Sequence, residues 1–405
     1  MKKRIMAIAA ALCLSLGVTG CGNSEQKPSA EAATTSTTTA ETTTTTATTT
    51  VAAEITTTTT TAASETAAPS DEETIVSEDE KLPEKAAEAK LEYWTEDSPA
   101  AASIEKWVKE VTDPSSLKYI PPEDRIVVSD LDGTLIGELY PAYFDYCMFV
   151  HRALYDDTYE APEDMKDFAH ELEEAFKTRT LPKGSDVIHA KFAAEAYKGM
   201  TIDELKKYTR KFLRSKAEGF ENLTRGEAYY KPMKSLIDYL RANDFTVYVC
   251  SGTDRTLVRE IVAEMFDIPA YHVIGTDTTL KAEHQGDSDG LDYLLKPNDD
   301  IVFGGEFITK NLKMNKVNVI AQEIGVVPVL ALGNSTGDLS MCQYTTMNQH
   351  YDGRAYLLLC DDTEREYGKP DVAASLKKTC EELGFETVSM RDDFATIYGD
   401  DVTLS

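Results

Sequence analysis

The chain has 405 residues, with 70 Asp and Glu against 41 Lys and Arg and a formal net charge of −29. That balance disfavours densely anionic partners, so neither nucleic acid nor a bare anionic membrane surface is a natural partner by field alone. Hydrophobic residues make up 42% of the chain, enough for a core of ordinary size once a long polar stretch is set aside, and a wholly disordered chain is excluded.

Met1 to Arg4 is basic, and Ile5 to Gly17 is an apolar run too short to span a bilayer stably, the layout of a secretory signal. The run ends in Val18-Thr19-Gly20-Cys21, which resembles the bacterial lipobox. That resemblance implies a lipoprotein signal peptide over 1–20 and a lipid on Cys21, the protein's sole membrane attachment on the extracytoplasmic side. An ordinary secreted protein cut near the same place is the other reading. Residues 21–88 are Thr-rich and then acidic, without apolar periodicity. They are expected to form a disordered tether, extended by its own charge. Five cysteines follow Cys21, at positions 147, 250, 342, 360 and 380. They show no C-x-x-C spacing and read as small buried hydrophobes rather than a disulfide framework or zinc site.

Residues 89–405 read as one α/β domain. Arg125 to Ser129 is a short apolar run suited to a buried parallel strand, and it leads directly into Asp130-Leu-Asp-Gly-Thr-Leu135. Two carboxylates at a strand end are costly in a core, although Asp-Gly is also a common turn dipeptide. From Leu135 to Phe245 the pattern is helical, as in Met165 to Phe176, Ile202 to Ala217 and Pro232 to Arg241. Phe245 to Cys250 is a second apolar strand, followed by Ser251-Gly-Thr-Asp254. The polar segment Thr276 to Asp300 is expected to be a surface excursion. Lys316 opens an amphipathic helix and, taken alone, reads as a solvated charge. Val326 to Leu332 is a third strand ending in Gly333-Asn-Ser-Thr-Gly-Asp338. In an open α/β sheet these strand tips converge on one crevice.

In this order the segments resemble the haloacid dehalogenase (HAD) superfamily. Asp130 to Leu135 matches its D-x-D-G-T-L motif, Ser251 its hydroxyl motif, Lys316 its third motif and Gly333 to Asp338 its fourth. Trp94, the Pro121 to Arg125 stretch, Gly137 to Pro141 and the Val388 to Phe394 ending extend the likeness to the phosphoserine-phosphatase-like branch of secreted or lipoprotein hydrolases. It implies a three-layer Rossmann-like core built on a parallel sheet, with a helical C1-type cap inserted at about 136–240.

The resemblance also implies a chemistry. Asp130 is the expected nucleophile, forming an aspartyl phosphate. Asp132 is the expected acid and base, which calls for a pKa above that of Asp130. Ser251, Gly252 and Lys316 are expected to hold the phosphoryl group. A Mg²⁺ ion is expected on Asp130, Asp132, Asn334 and Asp338. Asn334 stands where the family commonly has Asp, one ligand charge fewer. An acid at position 132 favours phosphate-ester hydrolysis over dehalogenation. The expected substrate is a small extracytoplasmic phosphomonoester, such as phosphorylcholine, phosphoserine, a sugar phosphate or a nucleotide. Glu138 and Tyr140 are candidates to face it. The reading from another class is a non-catalytic surface lipoprotein that binds a phosphorylated ligand or cell-wall partner, which Asn334 favours.

Overall fold

The computed structural model describes residues 90–405 except 138 and 139. The expected signal peptide, lipidation site Cys21, tether and Glu138 lie outside the described residues.

Helix α1 (Pro99–Thr112) begins at the Ser98 cap, whose side chain accepts from the Ala101 N–H, with Pro99 in the first turn. It buries Ile104, Trp107, Val108 and Val111, one stripe at helical spacing. Strand β1 (Ile126–Ser129) is buried along its whole length. Helices α2 (Phe144–Leu154), α3 (Glu163–Thr178), α4 (Ser185–Ala196) and α5 (Ile202–Leu213) follow, then the short strand β2 (Phe220–Glu221) and α6 (Lys231–Ala242). Next come β3 (Thr246–Asp254), α7 (Arg255–Phe266), β4 (Val273–Ala282), β5 (Ile301–Thr309), α8 (Met314–Glu323), β6 (Leu330–Gly333) and α9 (Leu339–Thr346). The chain finishes with β7 (Arg354–Leu359), α10 (Pro370–Leu383), β8 (Glu386–Ser389), α11 (Met390–Asp393) and β9 (Thr403–Leu404).

Seven strands form one sheet in the order β5-β4-β3-β1-β6-β7-β8. Every pairing is parallel except β4 with β5. Side chains alternate across a strand, so neighbouring residues of β1 enter different cores. Val127 joins a cluster with Trp107, Leu236 and Val258 from α1, α6 and α7. Val128 joins one with Ile320, Met341 and Leu376 from α8, α9 and α10. A helix layer therefore covers each face, which is why these strands read as continuous apolar runs. Cys250, Cys342 and Cys380 are buried in the second cluster and Cys147 in the first, and Cys147, Cys250, Cys342, Cys360 and Cys380 are all unbridged.

The inserted helices have their own core, in which Phe149, Val150, Met165, Phe168 and Leu172 pack together. The block is also tied to the sheet domain, since α5 packs on α7 and α4 on β5. At another edge β2 pairs antiparallel with β9, and Tyr367 donates its hydroxyl to the Gly219 carbonyl at 2.7 Å.

Three expectations need correction. Helix α6 packs on strand β3, so residues 231–240 belong to the layer flanking the sheet rather than to the inserted block placed at about 136–240. The excursion at 276–300 is partly regular, because Thr276 to Ala282 continue β4 and pair with β5. Its alternation was masked by polar residues on the half-exposed stretch. The third strand starts at Leu330 rather than Val326, since Pro328 lacks the N–H that a ladder requires.

Candidate active site

The carboxyl end of β1 delivers Asp130, whose N–H bonds the Leu332 carbonyl of neighbouring β6. The chain then turns at once. Gly133 has φ 75°, a conformation costly for a side chain, and its N–H meets the Ile136 carbonyl while Leu135 and Ile136 close onto the Leu131 carbonyl. Asp130 and Asp132 are thereby held on one tip, both buried. At the end of β6 the lack of a side chain on Gly333 lets the following loop fold back. A Cβ there would lie 2.6 Å from that of Asp338.

Asp338 organises that loop. Its Oδ2 accepts from the N–H groups of Asn334 and Ser335 and from the Ser335 hydroxyl, each at 3.1 Å. Its Oδ1 accepts from Lys316 Nζ at 2.7 Å, and the same ammonium donates to Asp130 Oδ1 at 2.5 Å. Lys316 is completely buried, so the reading of it as a solvated charge is wrong. Burial alone would lower the Lys316 pKa, but the charges of Asp130 and Asp338 outweigh it and hold the ammonium well above its ordinary value.

Asp132 Oδ2 accepts from the Thr253 hydroxyl at 2.9 Å and the Ser251 hydroxyl at 3.3 Å, both from the end of β3. Asp132 Oδ1 is buried without a hydrogen-bond partner. Burial, then the charge of Asp145, pushes Asp132 up to about 6, against the two hydroxyls. Burial and the charge of Asp338 push Asp130 up to about 7, against Lys316. Burial thus raises both carboxyls. One ammonium shared between two carboxylates does not compensate both.

Asp130, Asp132, Gly252, Asn334 and Asp338 line a single cavity of about 100 Å³. Ser251 and Lys316 stand behind that surface, touching Asp132 and Asp130 respectively. Sequence reasoning missed the rest of the lining: Thr253, Lys310, Leu312 and Ser335 from the sheet domain, and Tyr143, Asp145, Tyr146 and Asp186 from the inserted helices. Asp145 had a signal, a carboxylate inside the apolar helical run Phe144-Asp-Tyr-Cys-Met-Phe-Val150. Thr253 had one too, a second hydroxyl two residues beyond Ser251. Tyr140, proposed for the pocket, instead stacks on Tyr367 with ring centroids 4.1 Å apart.

The donors suit a hard, oxygen-bound cation. Among the described residues no three His, Cys, Asp or Glu are grouped as a metal site. Asp130, the Asn334 amide and the Asp132 carbonyl belong to residues that line the cavity and would hold such a cation. The Asp338 carboxylate, expected as a further ligand, already accepts from Lys316 and from its own loop.

Solved structures similar to this chain include a protein from Bordetella pertussis Tohama I, with 15% identity over 65% of this chain and 97% of that chain and a TM-score of 0.42. Another is cytosolic 5′-nucleotidase IIIB bound to cytidine, with 14% identity over 74% of this chain and 88% of that chain and a TM-score of 0.43. A third is a phosphoserine phosphohydrolase-like protein from Francisella tularensis subsp. tularensis SCHU S4, with 14% identity over 65% of this chain and 94% of that chain and a TM-score of 0.36. No curated protein matches the chain significantly. The haloacid dehalogenase-like hydrolase family matches residues 127–343, more than half of the chain and the span that holds Asp130, Asp132, Ser251, Lys316 and Asp338, and the chain belongs to that family.

Proposed function

We propose that the protein is a phosphomonoester hydrolase that works through an aspartyl phosphate on Asp130. The observation that carries this reading is the pairing of two buried carboxylates with different company. Asp130 is bound by Lys316, while Asp132 has one oxygen held by hydroxyls and the other without a hydrogen-bond partner. In the first step a carboxylate oxygen of Asp130 attacks phosphorus as the bond to the alcohol oxygen breaks, and protonated Asp132 gives its proton to that oxygen. In the second, water attacks phosphorus, its proton passes to Asp132, and the Asp130 carboxylate departs. Lys316 keeps Asp130 ionised and aimed, and Thr253 and Ser251 fix the Asp132 carboxyl. A Mg²⁺ ion held by Asp130, Asn334 and the Asp132 carbonyl would supply charge that neutralises the phosphoryl oxygens and favours ionised Asp130.

The test is phosphate release from p-nitrophenyl phosphate by wild type and Asp130→Asn, with and without Mg²⁺. Metal-dependent turnover lost in a folded Asp130→Asn supports the reading, and a variant that turns over like wild type refutes it. Extracytoplasmic attachment through a lipid on Cys21 belongs to the same proposal and rests on Val18 to Cys21. A wild type that takes up no fatty-acid label and fractionates as soluble contradicts it.

A further inference from the structure

On the cap side of the reaction cavity stands a charge that helps raise Asp132 and that touches neither the phosphoryl group nor the reacting carboxylates. Asp145, in the first turn of α2, is only 6% exposed and lines the cavity. Its Oδ1 accepts no hydrogen bond, and the nearest cation-forming group to Oδ2 is His189 Nδ1 at 3.8 Å. Burial lowers the His189 pKa to about 4, so the imidazole is neutral and supplies no countercharge. A buried carboxylate with an empty acceptor is expensive unless a donor or cation arrives from outside.

Its surroundings suit a cation. Asp186, in the first turn of α4, lines the same cavity, as do Tyr143 and Tyr146, whose ring centroids are 5.5 Å apart. One face of Tyr146 is stacked on His189, and the remaining aromatic surface together with the carboxylates attracts an ammonium group. Lys310 also lines the cavity, but one ammonium against two carboxylates leaves this side net negative. We propose that Asp145, with Asp186 and the two tyrosines, selects phosphomonoesters whose leaving alcohol carries an ammonium group and no carboxylate. The proposal rests on the phosphatase reading and narrows its substrate class. The alcohol end then brings the positive charge that Asp145 lacks, while its phosphoryl end meets Asp130. A substrate such as phosphoserine, with a carboxylate beside its ammonium, would set that carboxylate against Asp145 and Asp186. Sugar phosphates would leave Asp145 unpaired.

The experiment compares kcat/KM of the full chain, in Mg²⁺, for choline phosphate and its neutral carbon isostere 3,3-dimethylbutyl phosphate, with ethanolamine phosphate, phosphoserine and p-nitrophenyl phosphate alongside. Wild type is expected to prefer choline phosphate over the isostere by on the order of tenfold or more. Asp145→Asn should bring that ratio toward one, and Asp186→Asn should reduce it part of the way. The wild-type ratio decides the matter even if Asp145→Asn fails to fold. A wild type that hydrolyses p-nitrophenyl phosphate and both isosteres without favouring the cationic one, or that favours phosphoserine, overturns the specificity and leaves the phosphatase reading standing. Hydrolysis of none of these esters overturns both.

Discussion

Replacing Lys316 with Met tests the electrostatic frame of the site. The Lys316 side chain is fully buried and is shared between Asp130 and Asp338, both nearly inaccessible. Met keeps most of the volume and removes the charge, so packing loss is small and the effect is electrostatic. Leaving buried carboxylates without their cation costs about 3–5 kcal/mol, a large share of a typical domain stability of about 5–15 kcal/mol. Burial already holds Asp130 at about 7 with Lys316 present, and without it the carboxyl rises further. A carboxyl whose folded pKa lies above its unfolded value destabilises the fold at high pH, and the penalty fades as pH falls toward the unfolded value. Urea unfolding of Lys316→Met in EDTA should therefore show a larger deficit at pH 8 than at pH 5. Adding Asp130→Asn and Asp338→Asn should recover roughly half of it or more. A deficit below about 1 kcal/mol at pH 8, in the range of exposed pairs, or one that grows on acidification, would refute the buried-cation argument.

Asp132→Asn should suppress hydrolysis of alkyl phosphates by roughly 10²-fold or more while sparing phosphoenzyme formation from p-nitrophenyl phosphate, whose leaving group needs no proton; rapid-quench labelling of Asp130 distinguishes the two. Asn334→Asp adds a negative charge beside Asp130 and should lower the Mg²⁺ concentration for half-maximal rate, with maximal turnover unchanged or reduced; an unchanged half-saturation removes Asn334 from the metal site. Away from the site, Glu366 is buried against the Tyr398 hydroxyl and the Tyr367 N–H, and burial pushes its pKa up to about 7. That raised value makes wild type lose stability as pH climbs from about 4.5 through 7, so Glu366→Gln should gain about 2–3 kcal/mol on wild type above pH 7 and nothing below pH 4.5, read by thermal melts across pH.

Much of this protein is determined locally. The apolar runs ending in Asp130, Ser251 and Gly333 could be recognised as strand tips because a strand buried on both faces needs a continuous apolar sequence. The family motifs sit at those tips, and five of the positions named from them line one cavity in the fold. Helix α5 was likewise legible from its apolar spacing, with Leu205, Phe212 and Leu213 buried, although it ends at Leu213 and not at the expected Ala217. The polar face of β4, by contrast, hid its pairing with β5, since the half of the hairpin beyond the sheet core has no apolar period to show.

What tertiary structure alone decided is which charges are buried and what they meet. Lys316 and Asp130 are 186 residues apart in sequence, and Thr253 and Asp132 are 121 apart. No local pattern distinguishes a lysine on an exposed helix face from one turned into the sheet. The side chains of Asp145 and Asp186 likewise reach the cavity because the inserted helices pack over the strand ends. Local propensity acts over a few residues, whereas the cost of an unpaired buried charge depends on everything packed around it. The reaction class could therefore be read from short motifs, while the cationic substrate proposed here depends on a carboxylate whose isolation exists only in the folded chain.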